Sequence, residues 1–265
     1  MAAAVELNNG TPPLLRADRE GIATLTLNRP AQFNALSRGL LDAILAELAK
    51  IQHDESIRVV ILAGSGKAFC AGHDLKELRA FNDPVLAHPV FALCGEVMLK
   101  IMRLPQPVIA RVHGIATAAG CQLVGACDLA VASSDARFAT SGINVGLFCS
   151  TPGVALGRNV PRKKAMEMLL TGNFIDAQTA LAQGLLNRVV APDALDDAVW
   201  ALAGKIVSKP RGAIADGKRA FYEQIELDAE AAYSLAADEM TRNLFAEATR
   251  EGIDAFLQKR SPRWS

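Results

Sequence analysis

The chain lacks an excess of charge of either sign. Its 265 residues carry 28 Lys and Arg against 28 Asp and Glu, with a pI near 6.9. A nucleic-acid binder would usually show a basic surplus, so no nucleic-acid partner is expected. Although 51% of the residues are hydrophobic, no stretch reaches the ~18 consecutive apolar residues of a membrane span, and no membrane partner is read. The five cysteines (Cys70, Cys94, Cys121, Cys127 and Cys149) include no CxxC pair, and their number is odd. That argues against a disulfide framework and for reduced, buried thiols in a cytoplasmic protein. The opening MAAAVELNNG has neither a basic n-region nor a long apolar stretch, so no secretory or transit peptide is read. Internal repeats, low-complexity tracts and long charge runs are missing as well.

Several catalytic signatures also fail. Gly64-Ser65-Gly66-Lys67 looks like the end of a phosphate-binding loop. Ile61 stands where the earlier Gly is needed, however, and Ala68 where Ser or Thr is needed. No GxGxxG follows a strand, and there is no GxSxG nucleophile elbow. The four histidines (His53, His73, His88 and His113) have no metal-ligand spacing such as HExxH. Hydride transfer, phosphoryl transfer, serine hydrolysis and a bound metal therefore find no support.

What is present is an alternation of strands and helices. Residues 1–20 read as a loose start. IATLTL at 22–27 has a strand pattern, and Ser37 caps a helix whose apolar residues recur from Leu40 to Ile51. VVILA at 59–63 is a continuous apolar run, as in a strand buried on both faces. A helix is read over 90–104, stopped by Pro105. PVIARV at 107–112 is a second buried strand, a short apolar helix runs to about Ala126, and DLAVA at 128–132 is a third strand. A helix after Pro161 ends at Thr171-Gly172, Asp176 starts another, and 185–190 is a short strand. This order predicts parallel βαβ units in an α/β core over 1–191. A soft boundary at Ala191-Pro192 leads into a helical region over 192–265, with breaks at Pro210 and Gly252.

Two segments share one design. VVILA leads into GSGKAFCAGHDL, and PVIARV leads into HGIATAAGCQL. Each is a buried strand, then a loop of small residues, then a helix start. Small residues let a ligand approach the backbone, and a helix start offers unpaired N–H groups. Two such turns together suggest two N–H groups converging on one ligand oxygen, an oxyanion hole.

AFCAGHDLKEL, HGIATAAGCQLVGACDLAVAS, MEMLLTGNFIDAQTALAQGLLNRVV and the closing EGIDAFLQKR together resemble the enoyl-CoA hydratase/isomerase (crotonase) family. The resemblance covers nearly the whole chain, from about Ile22 to Lys259. It implies a crotonase-like spiral of ββα units with a C-terminal helical region that serves oligomerisation. It also implies a trimer or dimer of trimers acting on acyl-CoA thioesters, with CoA as part of the substrate and no separate cofactor. Carried over by position, the oxyanion donors are the backbone N–H groups of His73 and Ala119. Asp74 reads as a helix N-cap. RPAQFNAL at 29–36 resembles the family segment that lies along CoA, which points to Asn34 and Ala35. The stretch with Ala68, Ala71 and Gly72 would meet the pantetheine and adenine end, and Lys259 would reach a CoA phosphate. Met166, Met168, Leu169 and Leu170 read as core.

The chain departs from the family at the chemistry. Family hydratases activate water with two glutamates, and the corresponding positions here are Gln122 and Gly142. Gln hydrogen-bonds water but does not take its proton near pH 7, and Gly contributes only space and backbone. No nearby acid is a good substitute: Asp74 and Glu77 read as cap and surface, Asp128 as structural, Asp135 as a turn. The expectation is an acyl-CoA enzyme of hydratase type with weak hydration. Two alternatives stand beside it. One is a malonyl-type acyl-CoA decarboxylase that needs only the oxyanion hole. AGHD and the spacing of Phe138, Asn144 and Gly146 resemble that branch, while Cys149 stands where that branch has Tyr. The other is a catalytically silent acyl-CoA-binding protein.

Overall fold

The computed structural model describes residues 11–264. The N-terminal segment read for a targeting signal therefore lies outside the described residues. The chain opens with β1 (Leu14–Arg19) and β2 (Ile22–Leu27), an antiparallel hairpin where the sequence suggested a loose start. Its turn is Glu20-Gly21, both at positive φ, the backbone that matches the twist of a two-residue hairpin. The signal was weak because most of β1 is polar and solvent-facing.

α1 (Arg38–Gln52) follows, and Ser37 caps it by accepting from the Leu40 N–H at 3.3 Å. Next come β3 (Val59–Gly64), β4 (Ala68–Cys70), α2 (Leu75–Ala80) and α3 (Pro84–Arg103). α3 starts earlier than periodicity indicated, because Asp83 caps it and Pro84 and Pro89 are accommodated. By length and composition α3 could cross a membrane (mean hydropathy 1.6). It nevertheless buries Val90, Cys94, Val97 and Ile101 in the protein core. β5 (Val108–Val112), β6 (Ile115–Thr117), α4 (Ala119–Ala126), β7 (Leu129–Ser133) and β8 (Arg137–Ala139) continue the pattern. Then come α5 (Ser150–Asn159), α6 (Arg162–Thr171), β9 (Ile175–Asp176), α7 (Ala177–Ala182) and β10 (Arg188–Val190). The chain closes with α8 (Leu195–Val207), α9 (Arg211–Gln224), α10 (Ala229–Leu244) and α11 (Glu247–Leu257).

The strands form two sheets, ordered β1-β2-β3-β5-β7-β10 and β4-β6-β8-β9. Three successive turns, β3-β4, β5-β6 and β7-β8, each place one strand in the large sheet, one in the small sheet, and then a helix. β2, β3, β5, β7 and β10 are parallel to one another, as are β4, β6 and β8. This is the expected spiral of ββα units. The run VVILA is apolar throughout because both its faces are covered. Val60 and Leu62 face the main core with Leu25, Leu27, Val108 and Ala110. Val59 and Ile61 face the other side, where Leu195, Val199 and Ala203 of α8 meet them. α8 therefore belongs to the core, and the helical region proper begins at α9, beyond the Ala191-Pro192 boundary. Gly252 does not break a helix but sits inside α11. On α6, Met168 and Leu169 are buried as expected, whereas Met166 and Leu170 point to solvent.

α9 is tied to the core by one buried cluster. Lys218 Nζ donates to Asp128 Oδ2 at 2.7 Å and to the carbonyls of Ile101 (2.9 Å) and Gln106 (3.1 Å). Tyr222 Oη–H donates to Asp128 Oδ1 at 2.9 Å, and the Val108 N–H donates to Oδ2 at 2.7 Å. Asp128 is thus structural, as the sequence indicated. Removing one member of a buried ion pair leaves the other uncompensated. Lys218→Met is expected to lower unfolding stability by about 3–5 kcal/mol, measured by chemical denaturation; a loss below about 1 kcal/mol would show that the tether is dispensable.

Candidate active site

The small sheet brings the two glycine- and alanine-rich turns side by side. β4 and β6 pair in parallel, Ala68 with Ile115 and Cys70 with Ala116, so the segments leaving their carboxyl ends are neighbours. Gly72, at φ +95°, passes so close to the second turn that an added Cβ would lie 2.8 Å from Ala118 Cβ and 3.3 Å from Ala119 N. Gly120 is pressed onto β4, where an added Cβ would lie 2.1 Å from the Cys70 carbonyl oxygen. These two glycines are close-approach positions, and any side chain would push the turns apart.

Two backbone N–H groups are left over between the turns. Leu36 bridges His73 in parallel: its N–H donates to Gly72 O at 2.7 Å, and its carbonyl accepts from Asp74 N at 3.2 Å. In that pairing the His73 N–H points to the opposite side, and among the described residues it has no acceptor. Ala119 is the first residue of α4, so its N–H has no intrahelical acceptor. The preceding Ala118 sits at φ 50°, ψ −121°, a strained setting for a residue with a Cβ that costs about 1–3 kcal/mol. It is held by its own N–H on Ala139 O (3.0 Å) and by its carbonyl on the Gln122 N–H (3.1 Å). Two adjacent unpaired donors can hold one anionic oxygen.

A buried network fixes the first turn, and periodicity gave no hint of it. Arg29, only 6% exposed, donates to Ala35 O at 2.5 Å and to Asp74 Oδ2 at 2.9 Å. Asp74 also caps α2 by accepting from the Lys76 and Glu77 N–H groups. Burial alone would raise the Asp74 pKa, but Arg29 and these N–H groups hold its carboxyl below the usual range. Asn34 is fully buried at φ 56°. Its Oδ1 accepts from Arg29 N (2.9 Å), and its Nδ2 donates to Ser65 O and Ala68 O (2.8 Å each). The side chain is consumed by the protein, so Asn34 is a positioning residue and does not offer itself to a ligand. Ala35, Ala68 and Gly72 are buried too, and Ala71 is partly open. Residues 30–33 of RPAQFNAL meet solvent, and the large apolar one is Phe33, 53% exposed, beside Ala71, whose N–H donates to Phe33 O at 3.0 Å. Its signal in the sequence was only that it is the large side chain of that segment.

The His73 imidazole packs edge-on against Phe91, ring centroids 5.2 Å apart, and both its nitrogens are buried without a partner. Burial lowers its pKa, which keeps the ring neutral. Gln122, 3% exposed, lies on α4 just after the donor loop, and its Oε1 is buried and unpaired. Gly142 lies in a 3₁₀ turn, Ser141–Val145, at an ordinary φ. An added Cβ there would lie 2.5 Å from Leu147 O and 2.8 Å from Cys149 Sγ. The space for a side chain at this position is therefore closed. All five cysteines are free and buried, as expected. Lys259 is exposed at the end of α11, at φ 54°, and no hydrogen bond or ion pair ties it to the two turns.

Comparisons with known proteins agree with this fold. The enoyl-CoA hydratase/isomerase family matches residues 17–265. Human enoyl-CoA hydratase domain-containing protein 3, mitochondrial, is 47% identical over 246 residues, 93% of this chain and 81% of the relative. Short-chain-enoyl-CoA hydratase of Clostridium acetobutylicum is 32% identical over 97% of each chain. A solved structure of enoyl-CoA hydratase from Mycobacterium smegmatis superposes with a TM-score of 0.95 at 60% identity, covering 96% of this chain and 99% of that one. The cytoplasmic expectation is overturned: five relatives at 45–47% identity are named as mitochondrial proteins. It failed because buried reduced thiols suit any reducing compartment, and composition carries no other address. Its motifs, its fold and these relatives together show that the chain belongs to the enoyl-CoA hydratase/isomerase family.

Proposed function

We propose that the protein is an acyl-CoA thioester enzyme of enoyl-CoA hydratase type, whose capacity for hydration is weak. The observation that carries this reading is the pair of unpaired N–H groups, His73 and Ala119, on abutting turns. The thioester oxygen sits between them, and each donor contributes about 2.7–4 kcal/mol to an enolate-like transition state. The strain at Ala118 supports an active role over a silent acyl-CoA-binding one, because strain of this kind clusters at working sites. CoA enters as part of the substrate, along Phe33 and Ala71, and no metal is required. Phe221, Tyr233, Met240, Phe245, Phe256 and Leu257 expose large apolar side chains on and beside α9–α11. A homo-oligomer, a trimer or dimer of trimers, would cover them.

Water activation is what this site lacks. The Gln122 amide does not titrate, and position 142 has neither a side chain nor room for one. A general acid–base group is worth ~10²–10⁴-fold. Crotonyl-CoA hydration by the wild-type protein is therefore expected well below the ~10 s⁻¹ typical of enzymes; turnover at or above that rate overturns the assignment of Gln122 and Gly142.

The missing acid at 142 is not restored by substitution, because the obstruction there is space and not backbone angle. Gly142→Ala is expected to cost about 1–3 kcal/mol by forcing Leu147 and Cys149 apart, read by thermal or chemical denaturation. Gly142→Glu is expected to destabilise further and to leave hydration unrescued even beside Gln122→Glu. A folded Gln122→Glu/Gly142→Glu double variant with hydration raised ~10²-fold would contradict this.

Donation by backbone and not by side chain gives a third test. His73→Ala keeps its N–H and is expected to bind butyryl-CoA within about threefold of wild type. Gly72→Val forces the turns apart and is expected to lose most of that binding. Calorimetry with both folded variants decides the matter; equal affinities would remove the oxyanion role from this loop.

A further inference from the structure

The outer face of the large sheet changes character along its strands. Ile22, Val59 and Ile109, near the amino ends of β2, β3 and β5, pack under α8. Further along the same strands, alternation puts Thr24, Thr26, Ala63 and Arg111 on that face. These residues are small or polar, and beside α8 a cleft of about 200 Å³ remains above them, walled on the helix side by Asp196 and Trp200. Val60 and Leu62 point the other way, into the core that holds Phe69 and Ala116 of the small sheet. The cleft therefore lies across the large sheet from the two donor turns.

Size limits the occupant. A cavity of about 150 Å³ holds benzene, and drug-sized ligands need about 300 Å³ or more. A single substituted ring fits, and an acyl-CoA does not. Chemistry limits it further. Arg111 Nε donates to Asp196 Oδ1. Among the described residues, neither the Arg111 Nη groups nor Asp196 Oδ2 has another hydrogen-bond partner. The Arg111 side chain is 22% exposed and that of Asp196 66%, so a donor stands inside the cleft and an acceptor at its mouth. Trp200 adds a flat wall, with the Arg19 guanidinium 5.2 Å from its ring centroid. An anion would meet the Asp196 carboxylate, and a cation would meet the Arg111 guanidinium. A hydrocarbon would strip water from both and replace none of its hydrogen bonds.

We propose that this cleft binds a small uncharged aromatic ring that bears a carboxamide. Arg111 donates to the amide oxygen, Asp196 accepts from the amide N–H, and Trp200 packs against the ring. A carboxamide carries an acceptor and a donor side by side, the complement of the free atoms of the Arg111–Asp196 pair. A flat ring also gains from contact with an indole. The proposal is independent of the acyl-CoA reading, because the cleft opens on the other face of the sheet.

Trp200 and Trp264 are the chain's two tryptophans. In a Trp264→Phe background the emission of Trp200 reports on the cleft, and titration with benzamide is expected to change it saturably. Benzoate, the same ring with a carboxylate, is expected to bind about tenfold or more weakly, the worth of one hydrogen bond to a charged group. Asp196→Asn removes the charge and is expected to narrow the benzamide-to-benzoate affinity ratio by about tenfold. Ala63→Leu, which fills the floor of the cleft, is expected to abolish the benzamide response. Melting curves establish that each variant is folded, and if Ala63→Leu is not, the ratio in Asp196→Asn decides. No saturable response to benzamide, equal affinities for the two ligands, a ratio that survives Asp196→Asn, or a folded Ala63→Leu protein that still responds overturns the proposal.

Discussion

The site depends on one buried cation. The Arg29 guanidinium is taken out of water at the carboxyl end of β2 and joins the Asp74 carboxylate to the carbonyl of Ala35. A buried charge survives only when its hydrogen-bonding capacity is met, so the surrounding backbone must converge on it. Asn34 completes that convergence by clamping the 65–69 loop to Arg29. The left-handed turn at Phe33 and Asn34 follows, as does the cap of α2. Through Leu36, the same segment sets the direction in which His73 presents its N–H. A residue placed for electrostatic reasons in the first spiral turn therefore orients a donor some forty residues later.

The second turn is positioned by strain and steric contact and not by charge. Ala118 occupies a backbone region that an alanine avoids, and Gly120 allows α4 to touch the end of β4. The strain rotates the Ala118-Ala119 peptide at the start of α4, while strand pairing of β4 with β6 keeps the two turns in register. Donors held this way need no reorganisation when negative charge develops, which is the physical basis of electrostatic preorganisation. On the proposed reading, both donors lie within the described residues. Position 122 holds an amide, and position 142 a glycine whose side-chain space belongs to Leu147 and Cys149.

The C-terminal helices stabilise the site at a distance. α8 closes the outer face of the large sheet, and Lys218 and Tyr222 on α9 anchor to Asp128 between α4 and β7. Glu239 on α10 sits between Arg219 and Arg242, which continues the attachment outward. Beyond that point the helices expose large apolar side chains.

The sequence alone determined the strand–helix alternation, the two buried parallel strands with their small-residue turns, and the caps at Ser37, Asp74 and Asp176. It also determined the family and the presence of non-titrating residues, Gln122 and Gly142, at these two positions. These are local properties, written in periodicity, turn chemistry and residue type. Tertiary structure alone decided the rest. β4, β6 and β8 have three residues each, too few to show a period, and exist because they pair with one another. Asn34 turns inward because Arg29, Ser65 and Ala68 surround it, which its place in a motif did not reveal. Gly142 is closed by Leu147 and Cys149, a contact set by the path of the chain. Asp128 finds Lys218 ninety residues away. Whether the deciding neighbour is ninety residues away, as for Asp128, or five to seven, as for Gly142, direction and space at a residue follow from what packs against it.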